Sequence, residues 1–374
     1  MKFVDEYRDP IAARKLLESI RRSASQRWTL MEVCGGQTHG LLRHGIEIEL
    51  EGTIELIHGP GCPVCVTPLE SIDFAHELAM LHTLSDHDVV LTSFGDMLRI
   101  PGSRGSLLDA QAQGAQVRTV YSPLDAVQLA KKNPNKEIVF FAVGFETTAP
   151  ATALAVKQAA EEGLDNFRLL VAHVRVQPAM EMLLQSPHNR VQAFLAAGHV
   201  CTVMGYASYE SLVEKYQLPI VVTGFEPLDL LKGILACVRQ LEAGQARVEN
   251  AYARSVHYEG NLQAQEIVRE VYEVGDRLWR GFGMIPNGGL QLRRQWRQFD
   301  AQQHYALFGS LPIIESRQCR SADVLAGRIK PLDCAAFGNE CTPDAPLGAP
   351  MVSSEGACAA YFRYRNPQVN PIDG

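Results

Sequence analysis

Residues 138–146 read IVFFAVGFE, an apolar run of β-branched and aromatic residues that ends in a glycine and a carboxylate. Residues 220–226, IVVTGFE, repeat this pattern, and residues 89–96, VVLTSFGD, end in a similar way. Each run has the length of a buried strand, and its glycine permits a sharp turn afterwards. Open α/β sheets form their sites at such strand ends. The acids at 96, 146 and 226 are therefore either site residues or caps of the helices that follow.

Outward from these runs, apolar segments alternate with amphipathic ones as far as residue 243. The predicted strands are 28–33, 54–57, 89–92, 117–121, 138–143, 169–172 and 220–223. The predicted helices are 10–22, 69–84, 107–112, 124–131 and 228–241. This alternation predicts an α/β protein with parallel sheets covered on both faces. Beyond residue 244 strands become hard to find, which predicts a less regular third domain.

The composition is that of an ordinary globular protein. The chain has 374 residues, of which 46% are hydrophobic and 21% charged, and its net charge is −7. This length predicts two or three domains. A negative charge without a long basic block argues against nucleic acid or an anionic membrane as the main partner. No apolar run is long enough to span a bilayer and the first residues do not resemble a signal peptide, so we expect a cytoplasmic protein.

Nine cysteines are unusual in a reducing compartment, where clustered thiols more often bind metal or perform redox chemistry than form structural disulfides. Cys34 lies in MEVCGGQTH, residues 31–39, where a predicted strand meets two glycines. A helix predicted to start near Thr38 would lower the thiol pKa through its amide N–H groups. His39 is then a candidate base, hydrogen-bond donor or ligand. The alternative is a buried cysteine that only packs.

The second motif is HGPGCPVC at residues 58–65. Its Cys-X-X-Cys pair, Cys62 and Cys65, can close a disulfide or bind one metal with two thiolates. The Gly-Pro-Gly segment before it predicts a rigid, exposed loop. No second pair lies nearby, which favours a redox dithiol over half of a zinc site.

A third group of cysteines has the spacing C-x14-C-x6-C-x16-C and comprises Cys319, Cys334, Cys341 and Cys358. Four thiolates suit a zinc ion and a four-iron cluster equally well, and the spacing matches no common pattern of either. Scattered free thiols are the remaining alternative. The chain lacks a phosphate-binding P-loop, a dinucleotide fingerprint and a Gly-X-Ser-X-Gly elbow, which disfavours an ordinary NAD enzyme or esterase.

Taken together, these motifs resemble the HypD family of nickel–iron hydrogenase maturation proteins. The similarity covers FVDEYR (3–8), MEVCGGQTH (31–39), IHGPGCPVC (57–65), SFGDMLRIPG (93–102), GFETTAP (144–150), GFEPLDLL (224–231), FGNEC (337–341) and VSSEGACAA (352–360). It implies two similar α/β domains, 25–122 and 123–243, facing a cleft. It also implies a third domain of residues 1–24 and 244–374 that holds a [4Fe–4S] cluster. One departure is Gln37, where many members have histidine.

The resemblance implies a scaffold with a redox and cyanide-transfer role in assembling the Fe(CN)2CO unit. Cys34 would hold the transient iron with His39 beside it, and Cys62 and Cys65 would relay electrons from the cluster. The cluster ligands would be Cys319, Cys334, Cys341 and Cys358. The cleft residues that would form hydrogen bonds with the cyanides or with partner chains are Asp96, Glu146, Thr147, Thr148 and Glu226.

The implied partners are a small iron-carrying chaperone of the HypC type and a cyanide donor of the HypE type. Two other functions use the same residues. The first is an iron–sulfur-dependent thiol–disulfide oxidoreductase acting on protein disulfides. The second is a zinc-stabilised interaction module without redox chemistry.

Overall fold

The computed structural model describes residues 5–84, 88–305 and 318–365. Its strands are β1 (Trp28–Glu32), β2 (Ile54–His58), β3 (Val89–Ser93), β4 (Val117–Thr119), β5 (Glu137–Gly144), β6 (Phe167–His173), β7 (Ala193–Ala197), β8 (Ile220–Thr223), β9 (Val248–Asn250), β10 (Tyr272–Trp279) and β11 (Gly283–Leu292).

The α-helices are α1 (Pro10–Ser23), α2 (Gly35–Arg43), α3 (Ile46–Glu49), α4 (Pro63–Val66), α5 (Leu69–Leu84), α6 (Gly95–Leu98), α7 (Leu107–Ala112), α8 (Pro123–Lys132), α9 (Ala149–Glu161), α10 (Val176–Gln185), α11 (Gly198–Met204), α12 (Glu210–Tyr216), α13 (Pro227–Glu242), α14 (Leu262–Val271), α15 (Ala301–His304), α16 (Ser321–Leu325), α17 (Ala349–Val352) and α18 (Ala357–Tyr364). Short 3-10 helices cover Asp5–Tyr7, Ala207–Tyr209, Arg294–Phe299 and Pro331–Asp333.

Two parallel sheets form the centre of the fold, as the strand and helix pattern predicts. The first sheet has the order β2-β1-β7-β8-β9 and the second has the order β4-β3-β5-β6. β3, β6, β7 and β8 are buried along their whole length, because helices cover both faces of each sheet. The predicted α/β class with a less regular C-terminal region is confirmed.

Sheet membership divides the chain differently from the predicted boundaries. Residues 25–122 contribute β1 and β2 to the first sheet but β3 and β4 to the second. Residues 123–243 are shared between the sheets in the same way. The chain segment that forms the second sheet is thus inserted between β2 and β7 of the first sheet. β1 and β7 are nevertheless neighbours, since Leu30 of β1 pairs with Ala193 of β7. Local patterns do not report a pairing between such distant segments.

The parts of the predicted third domain pack against both sheets. Leu17 and Ile20 of α1 pack in the core of the first sheet with Leu30. The antiparallel β10–β11 hairpin was missed by sequence reasoning, because β11 is rich in glycine and lacks apolar alternation. Its Leu290 packs in a core of the second sheet. Other parts of this predicted domain, residues 1–4, 306–317 and 366–374, lie outside the described residues.

Most predicted strands and helices occur within one or two residues of their expected bounds. β8 has the predicted bounds, and so does α7. The strand β7 was missed because its sequence, AFLAA, is mostly alanine, a weak strand former. In the described part of the chain, no helix is both long and apolar enough to cross a membrane.

Candidate functional site

Cys34 lies at the carboxyl end of β1, where the chain turns into α2. β1 pairs with β2, so the loop after β2 lies beside the loop after β1. The Gly35 amide donates to the Gly61 carbonyl at 3.1 Å. A Cβ added at Gly61 would lie 2.2 Å from the Cys34 nitrogen, so only glycine fits there. The Cys34 turn and the segment leading to Cys62 are therefore in direct contact.

Cys62 and Cys65 form a disulfide at the start of α4. The prediction that this loop is exposed is wrong: Cys62 is 2% exposed and Cys65 0%. The loop is buried because α17 packs against α4 and the tip of the β10–β11 hairpin lies alongside, where Arg280 donates its amide to the Val66 carbonyl at 2.8 Å. Both sulfurs share one apolar core with Cys34. The structure thus brings the first two cysteine motifs together.

A buried chain of polar side chains runs beneath these motifs. Glu32 accepts from the Cys34 amide at 2.9 Å, and also from the Thr38 hydroxyl. His58 Nδ1 lies 2.7 Å from Glu32 Oε1, and His58 Nε2 lies 3.0 Å from the Tyr361 hydroxyl. Register explains the first contact, since Glu32 and His58 are paired residues at the ends of β1 and β2. The three sequence-distant segments of the site are therefore joined by one hydrogen-bonded chain.

The chain continues to Glu47, which accepts from the Tyr361 hydroxyl and from the Lys330 ammonium group. Burial alone would raise the pKa of Glu47, but His58, Lys330 and Tyr361 together hold that pKa below its usual value. Glu47 is therefore a buried carboxylate, and part of its counter-charge comes from Lys330 in the C-terminal segment, residues 318–365. Sequence reasoning missed Glu32, Glu47, His58 and Tyr361, although two of them stand inside the quoted cysteine motifs.

The C-terminal segment packs over the start of α2. A Cβ added at Gly35 would lie 2.3 Å from the Glu355 backbone oxygen. His39, further along α2, has its Nε2 3.2 Å from the Tyr364 hydroxyl. Asp96 accepts from the Ser353 hydroxyl at 3.2 Å. His39 and Asp96 therefore contact the cysteine-bearing C-terminal segment, and His39 Nε2 already has a partner.

The expected low pKa of the Cys34 thiol is not found. The pKa of Cys34 is raised to about 12, chiefly by burial and in part by the nearby Glu355 and Glu32 carboxylates. The backbone amides of Gly36 and Gln37 lower it, as the helix start predicts, but desolvation is the larger effect. The prediction that α2 makes Cys34 a ready thiolate is therefore wrong for this closed, buried arrangement.

Cys319, Cys334, Cys341 and Cys358 line one small apolar cavity. The Leu347 amide donates to Cys341 Sγ at 3.4 Å, a contact typical of thiolates that bind iron–sulfur clusters. Across the described ranges, no group of three or more histidine, cysteine or acidic residues is arranged to hold a metal ion. Four thiols on one cavity wall are the type of donor set that a multi-iron group uses, and the assignment of these cysteines as ligands stays a prediction.

Glu146 lies where β5 turns towards α9, and it accepts from the Val176 amide at the start of α10 at 3.2 Å. Burial raises the pKa of Glu146 to about 7. Cys201, which is also buried, forms a hydrogen bond with the Tyr209 side chain close to the Glu146 carboxyl group. Thr147 and Thr148 are partly exposed, and Thr148 donates its hydroxyl to the Phe145 carbonyl at 3.1 Å. The Thr148 hydroxyl therefore already has a hydrogen-bond partner within its own turn.

Glu226 is paired on the surface side of the first sheet. It forms a two-point ion pair with the Arg8 guanidinium, whose Nη2 donates at 2.8 Å. This bond to Arg8 lowers the pKa of Glu226. The ring of the preceding residue, Phe225, packs against the start of α2, where a Cβ added at Gly36 would lie 3.1 Å from it. Gln37 donates to Thr223 Oγ1 at 2.7 Å and thereby ties α2 to β8.

Comparisons with known proteins agree with this arrangement of motifs. Residues 11–365 match the model of a family named HypD and described as "Hydrogenase formation hypA family". Hydrogenase maturation factor HypD of Rhodobacter capsulatus is 45% identical over 97% of this chain and 98% of its own length. Its counterpart in Escherichia coli K12 is 44% identical over 98% and 99%. Hydrogenase expression/formation protein HupD of Azotobacter chroococcum is 46% identical over 97% of both.

Proposed function

Because this chain belongs to the HypD family of hydrogenase maturation factors, we propose that it is the scaffold on which the Fe(CN)2CO unit of a nickel–iron hydrogenase is assembled. Cys34 holds the iron as cargo, and the Cys62–Cys65 pair supplies electrons. The observation that carries the proposal is the packing of the Cys34 turn directly on the segment that leads into the buried Cys62–Cys65 disulfide.

Cys34 suits a low-spin iron cargo because a thiolate is a soft ligand. Its pKa of about 12 means that the free thiol is protonated, so iron binding must displace that proton. The surrounding apolar core, which includes Phe145 and Val174, excludes water from the bound cargo. Cys34 thus combines a soft donor with a dry, enclosed setting.

The four C-terminal cysteines, Cys319, Cys334, Cys341 and Cys358, would hold a [4Fe–4S] cluster, and their common cavity with its amide donor fits such a group. A bound cluster supplies electrons one at a time. The Cys62–Cys65 disulfide takes up two electrons and two protons when its S–S bond breaks to give two thiols. Release of cyanide from a protein thiocyanate, with cleavage of its S–C bond, consumes two electrons and returns the pair to the disulfide.

Maturation factors act together with other maturation proteins. We assign the delivery of iron to a small chaperone of the HypC type, which contributes a thiolate of its own, and the delivery of cyanide to a donor of the HypE type. Glu146, Thr147, Thr148 and Asp96 are the candidates for hydrogen bonds to cyanide ligands or partner chains. Glu226, whose carboxylate is already paired with Arg8, is a further candidate for contact with a partner chain.

Replacing Cys34 by alanine tests this function. We expect hydrogenase maturation to be lost, while anaerobically purified protein keeps about four irons and four sulfides per chain. Cys201→Ala is the matched control, because Cys201 is another buried cysteine of the same core. Normal maturation with the Cys34 variant would show that the iron-site assignment is wrong.

A thiol–disulfide oxidoreductase is the second candidate, and the presence of a Cys62–Cys65 disulfide favours it. Turnover of a generic protein disulfide that needs both cysteines and ignores the HypC-type partner would support this activity. The colour of the anaerobic protein separates both candidates from a zinc-stabilised module. Brown protein supports a cluster, whereas colourless protein with zinc and no sulfide would exclude both redox functions.

A further inference from the structure

Gly36 marks the place where solvent reaches the Cys34 turn. All residues from 30 to 38 are buried apart from Gly36, which is partly exposed. Cys34 itself is only 7% exposed. A cargo that binds the Cys34 sulfur must occupy space next to that sulfur, and within this stretch the turn opens only at Gly36. The atoms around Gly36 therefore decide what Cys34 can hold.

The Cys34 sulfur and the Phe225 ring face each other across the position that a side chain of Gly36 would occupy. A Cβ added at Gly36 would lie 3.8 Å from Cys34 Sγ, and 3.1 and 3.3 Å from Phe225 Cδ1 and Cε1. The two distances to the ring are shorter than an ordinary contact between carbon atoms. With glycine, the space between the sulfur and the ring edge stays open. We call this space the Gly36 niche.

Phe225 forms a well-supported wall of the niche. Its ring stacks on the His199 ring at a centroid distance of 3.8 Å and an interplanar angle of 24°. The Tyr252 ring is perpendicular to it, with the centroids 6.2 Å apart. Phe225 and Tyr252 also line a cavity of about 410 Å³. The Phe225 ring thus borders both the niche and this cavity.

The chemistry of the wall suits small anionic ligands beside a thiolate. The atoms of Phe225 that face the niche belong to the ring edge, which carries positive potential, whereas cyanide and thiolate are anionic. Sulfur is also favourably placed near the edge of an aromatic ring. The niche is small, because a single added carbon atom would already contact the sulfur and crowd the ring.

We propose that the Gly36 niche receives the cyanide and carbonyl ligands of an iron bound to Cys34, and that Gly36 and Phe225 restrict the cargo to iron with such small, linear ligands. This inference rests on the proposed function for the identity of the cargo. Gly36 acts by leaving the space open, and Phe225 acts by limiting its size. Both are therefore specificity-determining residues of the site.

Alkylation of the Cys34 thiol measures the niche without any cargo. Full-length protein, produced without its maturation partners and purified anaerobically, is treated with iodoacetamide without reductant, and labelled peptides are quantified by mass spectrometry. Gly36→Ala fills the niche and should slow Cys34 labelling roughly tenfold. Phe225→Ala removes the wall and should speed it roughly tenfold. N-phenylmaleimide, a larger reagent, should label Cys34 in Phe225→Ala but not in wild type.

The double variant Gly36→Ala/Phe225→Ala shows whether the added methyl group acts against the ring. Crowding of the niche needs the Phe225 ring, so the double variant should label at the rate of Phe225→Ala. A return to the wild-type rate would mean that the alanine acts independently of the ring, for example by stabilising α2, since alanine is a better helix former than glycine. That result would overturn the proposal.

Phe94 and Gly95 provide matched controls, because they occupy a similar strand-to-helix turn after β3 in the second sheet. Phe94 packs against a core of that sheet, and a Cβ added at Gly95 would lie 3.6 Å from Thr119, an ordinary contact. Phe94→Ala and Gly95→Ala should leave the Cys34 labelling rate unchanged. Cys237 is fully buried in the core of the first sheet and reports global unfolding, so its labelling should stay constant in all variants.

Infrared absorption of the C≡N and C≡O stretches tests the cargo itself. Wild-type protein from cells that make active hydrogenase should carry these bands. Gly36→Ala from the same cells should retain less than about a tenth of their intensity, because the added methyl group takes the space of the ligands. Phe94→Ala and Gly95→Ala should keep the bands at the wild-type level.

Three further results would overturn the proposal. The first is a Cys34 labelling rate that does not respond to Gly36→Ala. The second is an equal change at Cys34 and Cys237, which would mean that the variants only loosen the fold. The third is a wild-type level of the infrared bands in Gly36→Ala. The proposed function fails by a different result, normal maturation with Cys34→Ala, which has no bearing on the labelling rates of the Gly36 and Phe225 variants.

Discussion

Glu32→Gln tests whether the buried hydrogen-bonded chain beneath the cysteines stabilises the fold. Glu32 is fully buried and accepts from the Cys34 amide, the Thr38 hydroxyl and His58. Glutamine keeps the shape but loses the charge opposite His58 and turns one acceptor into a donor. Removing one partner of a buried pair costs about 3–5 kcal/mol. We expect the free energy of unfolding to fall by about 3 kcal/mol, the lower end of that range, because glutamine still accepts one bond.

Urea-induced unfolding of the anaerobic protein measures this loss. Tryptophan fluorescence is a suitable signal, since Trp28 lies on β1 with Glu32. Glu181→Gln is the matched control, because Glu181 pairs with Lys215 on the surface and should cost less than about 1 kcal/mol. The double variant with His58→Gln should lose less than the sum of the single variants, by about 1–3 kcal/mol. A loss equal to that of the control, or strict additivity, would refute the reasoning.

Three further predictions concern other parts of the site. Burial raises the pKa of Glu146 to about 7, so the stability that its protonated form contributes is complete below the unfolded pKa and is lost as pH rises through 7. Glutamine at this position does not ionise. The free energy of unfolding of Glu146→Gln, measured in urea, should therefore rise relative to that of wild type by about 3 kcal/mol between pH 5 and 8. Gly35→Ala should lower the melting temperature more than Gly36→Ala, because a Cβ at Gly35 meets backbone 2.3 Å away whereas one at Gly36 meets a ring at 3.1 Å; equal shifts would contradict this. Arg8→Ala breaks an ion pair in which Arg8 is exposed, so it should leave the urea midpoint of unfolding nearly unchanged; a clear drop would show that the pair with Glu226 is structural.

The positions of most elements follow from local sequence. Residues 138–143 are β-branched or aromatic with one alanine, and they form β5 because such side chains fit a buried strand. The cysteine motifs at Cys34 and Cys62 are equally local, since glycines next to a thiol mark a tight turn. Where composition is less distinctive, as in the alanine-rich β7 and the glycine-rich β11, the same reasoning fails.

Contacts between distant segments were decided only by tertiary packing. The insertion of the second sheet into the first depends on the pairing of β1 with β7, and the burial of the Cys62–Cys65 loop depends on α17 and the hairpin tip. The pairing of Tyr361 with His58 joins residues far apart in the chain. Periodicity and turn chemistry act over a few residues, so they specify strands, helices and motifs. Burial, pKa and hydrogen-bond partners depend on what packs against a residue, and that is known only once the chain has folded.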